Sequence, residues 1–304
     1  MAGAALTATD AVERRLRGGT TDWRGWILEG ALLLSLLIAL GVLLVLLADI
    51  LATAAPIFFE RPADFMTSPL SARPERAGLV QGLVGSLLVT LIVAVVALPI
   101  GIGAAIYLEE YARDTPLSRF IRTNIRNLAG VPAIVYGLLG LAVFVTVLGM
   151  GRILLAGGLT LAVLVLPIVV ITTSEALGAV PGSIREAAFG VGATRWETIR
   201  SHVLPYAAPG IFTGTILSLA RAFGETAPLL LVGAIAGTFS SAGGPVDQVT
   251  SPYTTLPTII FHWAGYPQDE FRALGAAAIA VLLAVILLVN GVAIILRNRY
   301  DRKW

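Results

Sequence analysis

The feature that most constrains this chain is a series of apolar runs, each close to the length that crosses a lipid bilayer. A helix needs about 20 apolar residues to span the hydrocarbon core. Runs of that size without a charged residue lie at 30–48, 82–108, 128–151, 153–174 and 273–296. A sixth apolar stretch, at 206–239, is interrupted by Arg221 and Glu225. The sequence therefore predicts an all-α polytopic membrane protein with six transmembrane helices.

Composition agrees with burial in lipid. Of the 304 residues, 57% are hydrophobic and 13% are charged, whereas soluble domains carry about 25% charged residues. A disordered chain is excluded for the same reason. The net charge of +2 provides no concentrated basic face, which excludes a nucleic-acid partner.

The distribution of basic residues predicts the orientation. With the N-terminus in the cytoplasm, 15 of the 21 Lys and Arg residues are cytoplasmic and 5 lie outside, as the positive-inside rule requires. Both termini are therefore expected in the cytoplasm. The first apolar run has 19 residues, longer than the core of a signal peptide, and is interpreted as a retained helix.

Three regions follow from this arrangement. Residues 1–25 form a cytoplasmic tail, residues 26–81 the first transmembrane helix with an extracytoplasmic loop, and residues 82–304 a core of five transmembrane helices. In the last outer loop, residues 256–265 are apolar but too short to span, so they are expected to lie at the interface or against helix ends. Glu109 and Glu110 end the second span and are interpreted as a solvated helix end.

The loop between the fourth and fifth spans, residues 181–205, has the sequence PGSIREAAFGVGATRWETIRSHVLP. It contains two capping-box patterns, in which a Ser or Thr caps a helix and a Glu three residues later bonds back. The pairs are Ser183 with Glu186 and Thr194 with Glu197. The pattern predicts two short helices on the cytoplasmic side.

Glycines separate these two helices, and Gly190 and Gly192 permit a turn that other residues avoid. Pro205 suits the first turn of the next span. The loop is either a plain surface connector or a docking surface, and its apolar Phe189 and Trp196 favour a partner.

The run E-A-A-x3-G followed by L-P in this loop resembles the signature of ABC importer permeases. The resemblance implies the type I importer permease fold, in which this loop is the cytoplasmic coupling helix that sits in a cleft of a separate ATPase. His202 stands where the family usually has Ile. The residues assigned to ATPase coupling on this resemblance are Glu186, Ala187, Ala188, Gly192, Thr194, Leu204 and Pro205.

The chain carries no phosphate-binding loop of its own. Such a loop needs Lys followed by Ser or Thr, and the one lysine, Lys303, precedes the final Trp304. The resemblance therefore implies a non-catalytic subunit without a cofactor, with ATP and Mg on the partner ATPase. Cysteine is absent, and the two histidines are 60 residues apart, which disfavours a membrane-embedded enzyme and any metal site. A stand-alone channel or ion-driven carrier would not need the docking loop.

Arg221 and Glu225 are the candidate substrate-path residues. A charged side chain within a span costs about 2.5–3.5 kcal/mol and points to function. Their i, i+4 spacing predicts an ion pair on one helix face. The pair is either structural or an anion site, in which the Arg fork binds a tetrahedral oxyanion and Glu225 holds the Arg in place.

Four blocks in one order are similar to the PstA family, a membrane subunit of bacterial phosphate-specific ABC importers. They are IGAAIYLEEYA at 102–112, NLAGVPAIVYGLLG at 127–140, ARAFGETAPLL at 220–230 and LRNRYDRKW at 296–304. The resemblance implies phosphate uptake across the bacterial plasma (inner) membrane. Its partners would be a homologous second permease, an ATPase dimer and an extracytoplasmic phosphate-binding protein. Sulfate, molybdate and phosphonate remain alternative substrates. Ile171 stands where the family often has Arg, so a second cationic contact from this chain is not expected.

Overall fold

The computed structural model describes residues 23–234 and 245–300. The predicted N-terminal tail up to residue 22, the end of the fifth predicted span and the last four residues lie outside these ranges. The chain divides into two compact units, residues 1–52 and 53–304. In the first unit, the described residues all belong to helix α1 (Trp23–Glu60), whose leucines from 32 to 46 are exposed, as lipid-facing side chains are.

The second unit contains the remaining helices of the described chain. They are α2 (Pro62–Thr67), α3 (Val80–Ile106), α4 (Pro116–Ala129), α5 (Ala133–Gly140), α6 (Leu154–Gly178), α7 (Gly182–Gly190), α8 (Arg195–Thr198), α9 (Leu204–Gly224), α10 (Ala227–Val232), α11 (Pro245–Val249), α12 (Leu256–Ala264) and α13 (Asp269–Tyr300). A 3₁₀ turn lies at Pro74–Arg76, and π-helical segments continue α3 (Tyr107–Tyr111), α5 (Leu141–Val147) and α8 (Ile199–Val203).

Helix α6 is central to this unit. It packs against α3, α4, α5 and α9, and Leu161, Val165 and Val169 are buried in the core that it shares with Val93 of α3. A helix that is apolar all round is expected to be buried in this way.

Among the described residues, five helices are long and apolar enough to cross a membrane. A sixth span is obtained when α4 and α5, which are bent by 101° at the break between them, are taken together. The prediction of an all-helical, multi-pass protein is confirmed. The helix observed in the region of the predicted span 128–151 is shorter than predicted. Helix α5 and its extension cover only residues 133–147, because the chain bends at Gly130–Pro132 after the amphipathic helix α4.

The fifth predicted span, 206–239, is not one continuous helix within the described residues. Helix α9 ends at Gly224, Glu225 has an extended backbone, and α10 begins at Ala227. Pro228 explains the break, because in a continuous helix its ring would clash with the carbonyl of Gly224, four residues earlier.

Close helix packing occurs where small residues of α9 meet α6. A Cβ atom added to Gly210 would lie 2.8 Å from Ala176 Cβ, and one added to Gly214 would lie 2.4 Å from Thr172 Oγ1. The Gly210-x3-Gly214 pattern therefore forms a helix-packing face.

The short apolar segment 256–265 packs against other helices of the protein, which is one of the two positions expected for it. It forms α12, in which Leu256, Ile259 and Trp263 are buried. Ser86 Oγ of α3 accepts a hydrogen bond from the Leu256 backbone N–H at 2.9 Å, which fixes the start of α12 against α3.

Candidate functional site: the 181–205 loop and the Arg221–Glu225 pair

The 181–205 loop folds as the predicted helix, glycine turn and helix. Helix α7 is followed by Gly192, whose φ of +88° requires the left-handed region that glycine adopts without strain. Helix α8 continues through the π-helical segment Ile199–Val203 into α9, and Pro205 lies in the first turn of α9. The second helix of the loop is therefore continuous with the long helix α9.

One of the two predicted capping boxes is present. Thr194 Oγ1 accepts from the Glu197 backbone N–H at 3.3 Å, and Glu197 Oε2 accepts from the Thr194 backbone N–H at 2.8 Å. The Ser183–Glu186 box is wrong. Helix α7 begins at Gly182 with Pro181 as N-cap and no side-chain cap, so Ser183 already lies inside the first turn.

The surface of the loop exposes the apolar side chains that the docking interpretation needs. Phe189 and Trp196 are half-exposed and Val191 is 85% exposed. Glu186, Ala187, Gly192 and Thr194 also lie at the surface, whereas Ala188 is buried within the chain. Glu186 forms no ion pair with any residue in the described ranges, which leaves its carboxylate available to a partner.

Glu109 and Glu110, at the π-helical end of α3, both form ion pairs. Their interpretation from the sequence as a solvated helix end is therefore wrong. Glu109 pairs with Arg122 of α4. Glu110 is only 8% exposed, and its Oε1 lies 2.6 Å from Arg185 Nη2 on α7. A separation of 75 residues gives no periodic signal, so sequence patterns alone could not find this contact.

The Arg221–Glu225 pair forms as predicted, but at the break after α9. Arg221 lies in the last turn of α9, about 24 Å along the helix from Pro205. Its Nε donates to Glu225 Oε1 at 3.1 Å, and the side chains are 53% and 18% exposed. A cation in the last turn also interacts favourably with the helix dipole.

The geometry of this pair leaves part of the guanidinium free. Within the described ranges, the two terminal nitrogens of Arg221 donate no hydrogen bond. A guanidinium presents its donors as a planar fork that matches the oxygen atoms of phosphate-like anions. Arg221 can therefore bind an anion while Glu225 holds the Nε edge. Because both residues come from one segment, the pair does not lock two packed helices together.

Long apolar helices, an exposed helical loop and an arginine in an otherwise apolar helix define a transport permease of the membrane. The family model for the binding-protein-dependent transport system inner membrane component matches residues 97–303. The chain belongs to this family, which confirms the resemblance seen in the 181–205 loop.

Curated relatives include permeases named for phosphate transport. The chain is 35% identical over 263 residues to the phosphate transport system permease protein PstA of Mycobacterium leprae, covering 85% of this chain and 82% of the relative. It is 34% identical to PstA of Xylella fastidiosa, covering 78% and 81%. It is 37% identical over 167 residues to the probable ABC transporter permease protein YqgI of Bacillus subtilis, covering 55% of this chain and 57% of that relative.

Solved structures confirm the fold. A bacterial alginate ABC transporter in complex with a pentasaccharide-bound periplasmic protein aligns with a TM-score of 0.68 and 14% identity, covering 92% of this chain and 96% of that one. The MetNI methionine ABC transporter, in inward-facing conformations, aligns with a TM-score of 0.60 and 19% identity, covering 74% and 96%. The chain therefore has the fold of an ABC importer permease.

Proposed function

We propose that this chain is a membrane permease subunit of an ATP-driven importer of inorganic phosphate. The observation that carries the proposal is 34–35% identity to permeases named for phosphate transport over about four fifths of the chain. The Arg221 guanidinium supplies a suitable anion contact, since its terminal nitrogens are free within the described ranges.

The proposed complex contains a homologous second permease, a dimer of ATPase subunits and an extracytoplasmic phosphate-binding protein. The chain lies in the bacterial inner membrane with both termini and the 181–205 loop on the cytoplasmic side, as the 15 to 5 distribution of basic residues favours. ATP and Mg bind to the ATPase subunits, and this chain carries no catalytic residue.

The coupling step in this proposal uses the exposed side of the loop. Phe189, Val191 and Trp196 supply apolar area to a cleft of the ATPase, and Glu186 supplies a charge at its edge. Because α8 continues into α9, a displacement of the loop moves the helix whose far end carries Arg221. ATP binding and hydrolysis would thus alternate access to the anion site.

In the anion site, Glu225 limits the affinity that Arg221 provides. The carboxylate holds the guanidinium through Nε and neutralises part of its charge. An anion bound by an isolated arginine in a low-dielectric path would be held too tightly to leave. A paired arginine binds phosphate and also releases it.

Reconstitution of the full complex in liposomes tests this function. Radiolabelled phosphate and the binding protein are placed on one side and ATP on the ATPase side. The proposal is supported if phosphate accumulates only with ATP and if an excess of sulfate, molybdate or phosphonate does not inhibit that accumulation. Preferential transport of one of those other oxyanions would overturn the substrate assignment while keeping the importer class. Transport by this chain without an ATPase would overturn the importer class itself.

A further inference from the structure

One arginine joins the 181–205 loop to two of the long helices. Arg185 of α7 donates from Nη2 to Glu110 Oε1 at 2.6 Å, at the π-helical end of α3. The same guanidinium donates to the carbonyl oxygens of Leu177 at 3.0 Å and Val180 at 2.8 Å, at the end of α6. Helix α7 is thus bonded to α3 and to α6 through one side chain.

Polar contacts and apolar packing together position the loop at this end of the molecule. An open pocket of about 290 Å³ lies beside this contact, and Glu110, Arg185 and Phe189 are among its lining residues. Arg195 of α8 adds a second polar contact, with Cζ 5.7 Å from the centroid of the Tyr111 ring. Ile184 of α7 packs against the apolar cluster that contains Leu108, Leu177 and Val180, so the polar contacts act together with apolar packing.

Burial strengthens the ion pair between Glu110 and Arg185 and makes it costly to break. Glu110 is 8% exposed and Arg185 is 24% exposed, so solvent screens the pair less than it screens a surface pair. Removing one partner leaves the other partly buried and uncompensated, which is the costly way to break such a pair. The guanidinium has three acceptors in a fixed arrangement, which a flexible ammonium cannot reproduce.

We propose that Arg185 is a positioning residue that makes α7, the end of α3 and the end of α6 move as one unit. In this arrangement, a displacement imposed on the loop by the ATPase is delivered to α3 through Glu110 as well as to α9 through the backbone. The inference rests on the proposed coupling function of the loop, and it adds a second route from the loop to the transmembrane helices.

Glu109 provides a matched control. It lies next to Glu110 on the same π-helical turn and also pairs with an arginine, Arg122, but that partner lies on α4 rather than on the loop. Glu109→Gln and Glu110→Gln therefore remove the same charge from the same turn, and only Glu110→Gln removes an ion pair to α7.

The first measurement is the number of phosphate ions transported per ATP hydrolysed by the reconstituted complex. Glu110→Gln is expected to lower this ratio by about two- to thirty-fold, the range of residues within coupling networks. Glu109→Gln is expected to leave the ratio unchanged. If the Glu110→Gln variant does not assemble with the ATPase, Arg185→Lys replaces it, because Lys keeps the charge but lacks the planar donors of the guanidinium. The ratio of phosphate transported to ATP hydrolysed is expected to fall in this variant as well. An unchanged ratio in an assembled Glu110→Gln or Arg185→Lys complex, or an equal fall in Glu109→Gln, would overturn the proposal.

The second measurement does not depend on the substrate. The chain contains no cysteine, so spin labels can be placed on Tyr107→Cys in the π-helical end of α3 and on Ser183→Cys in α7. Both positions are exposed, and Ser183 is not among the residues assigned to ATPase coupling. With cysteine-free partner subunits, the distance between the labels is expected to be the same with and without ATP, and to change with ATP in Glu110→Gln. A change in the native pair, or none in Glu110→Gln, contradicts the single-unit proposal. If the native complex transports no phosphate, the substrate assignment fails and this distance still decides the inference.

Discussion

Arg221 Nε lies 3.1 Å from Glu225 Oε1, although the helix that carries Arg221 ends at Gly224, between the two residues. The contact therefore bridges the end of α9 and the extended residue that follows it. Because Glu225 bonds only to Nε of the guanidinium, and because the helix ends between the two residues, the terminal nitrogens of Arg221 stay accessible. An ion pair within a continuous buried helix would not ensure this.

Replacing Arg221 by Gln is expected to reduce phosphate uptake strongly. A hydrogen bond to a charged group contributes about 1.5–3 kcal/mol, which corresponds to a loss of roughly ten- to a hundredfold in anion binding. Gln also leaves Glu225 unpaired and negative beside the path, which repels the anion further. The check is the initial rate of ATP-dependent uptake in the reconstituted complex over a range of phosphate concentrations.

Arg119 serves as the control for this change. It is also a substantially exposed arginine with an acidic partner, Asp114, whose Oδ1 lies 3.4 Å from Arg119 Nε. Arg119→Gln removes the same charge outside the proposed path, so uptake is expected to stay near the native rate. Native uptake by an assembled Arg221→Gln complex would rule out Arg221 as an anion contact.

Hydropathy and charge predicted most of this fold, and the errors have identifiable causes. Apolar runs located the long helices, because span length is set by the bilayer and not by distant contacts. Hydropathy located the run 206–239 but not the end of α9 at Gly224, because hydropathy does not register the steric effect of Pro228 on the Gly224 carbonyl. The short third span has a similar cause, since Pro132 follows a sharp bend.

The candidate site was predictable only where its contacts are local. The Thr194–Glu197 cap and the Arg221–Glu225 pair connect residues three and four positions apart, so their spacing indicated them. The Arg185–Glu110 pair joins residues 75 positions apart and depends on how α7 lies against α3. A single sequence contains no signal for such a tertiary contact.

Removing the cap of α8 is expected to loosen the second helix of the loop. Thr194→Ala deletes the hydroxyl that accepts from the Glu197 N–H and donates to Glu197 Oε2 at 2.7 Å, and loss of such a cap costs about 1 kcal/mol. Amide hydrogen exchange of residues 195–198 should become about fivefold faster. Thr123→Ala is the control, because the Thr123 hydroxyl donates to the Arg119 carbonyl within α4 and caps no helix. Unchanged exchange in Thr194→Ala would contradict a stabilising cap.

Two glycine substitutions are expected to change stability in opposite directions. Gly214→Ala places a Cβ 2.4 Å from Thr172 Oγ1 and 2.5 Å from Thr172 Cβ, so α9 must move away from α6. Overpacking of this kind costs about 1–3 kcal/mol. Gly103→Ala in α3 meets nothing within 4 Å and is expected to gain about 1 kcal/mol from helix propensity. Thermal unfolding in detergent measures both, and equal shifts would contradict close packing at Gly214.

Replacing two buried tyrosines by phenylalanine is expected to change stability in opposite directions. Tyr253 is fully buried, and its hydroxyl has no hydrogen-bond partner within the described ranges. Tyr136 is also buried, but its hydroxyl donates to the Leu128 carbonyl at 2.9 Å. Tyr253→Phe is expected to stabilise the protein by about 1 kcal/mol, because it removes an unsatisfied polar group, and Tyr136→Phe to destabilise it by a similar amount. Melting temperatures that move in the same direction would contradict the assignment of partners.

The pH dependence of stability tests the environment of Tyr253 independently. Burial raises the pKa of its phenol above the ordinary value of 10.0, so above pH 10 the unfolded chain loses this proton while the folded chain keeps it. The unfolded state then binds fewer protons, and the free energy of unfolding decreases as the pH rises. Below pH 10 this contribution is constant. In Tyr253→Phe the alkaline decrease in melting temperature should be shallower than in the native chain, and an identical slope would place the hydroxyl in contact with water.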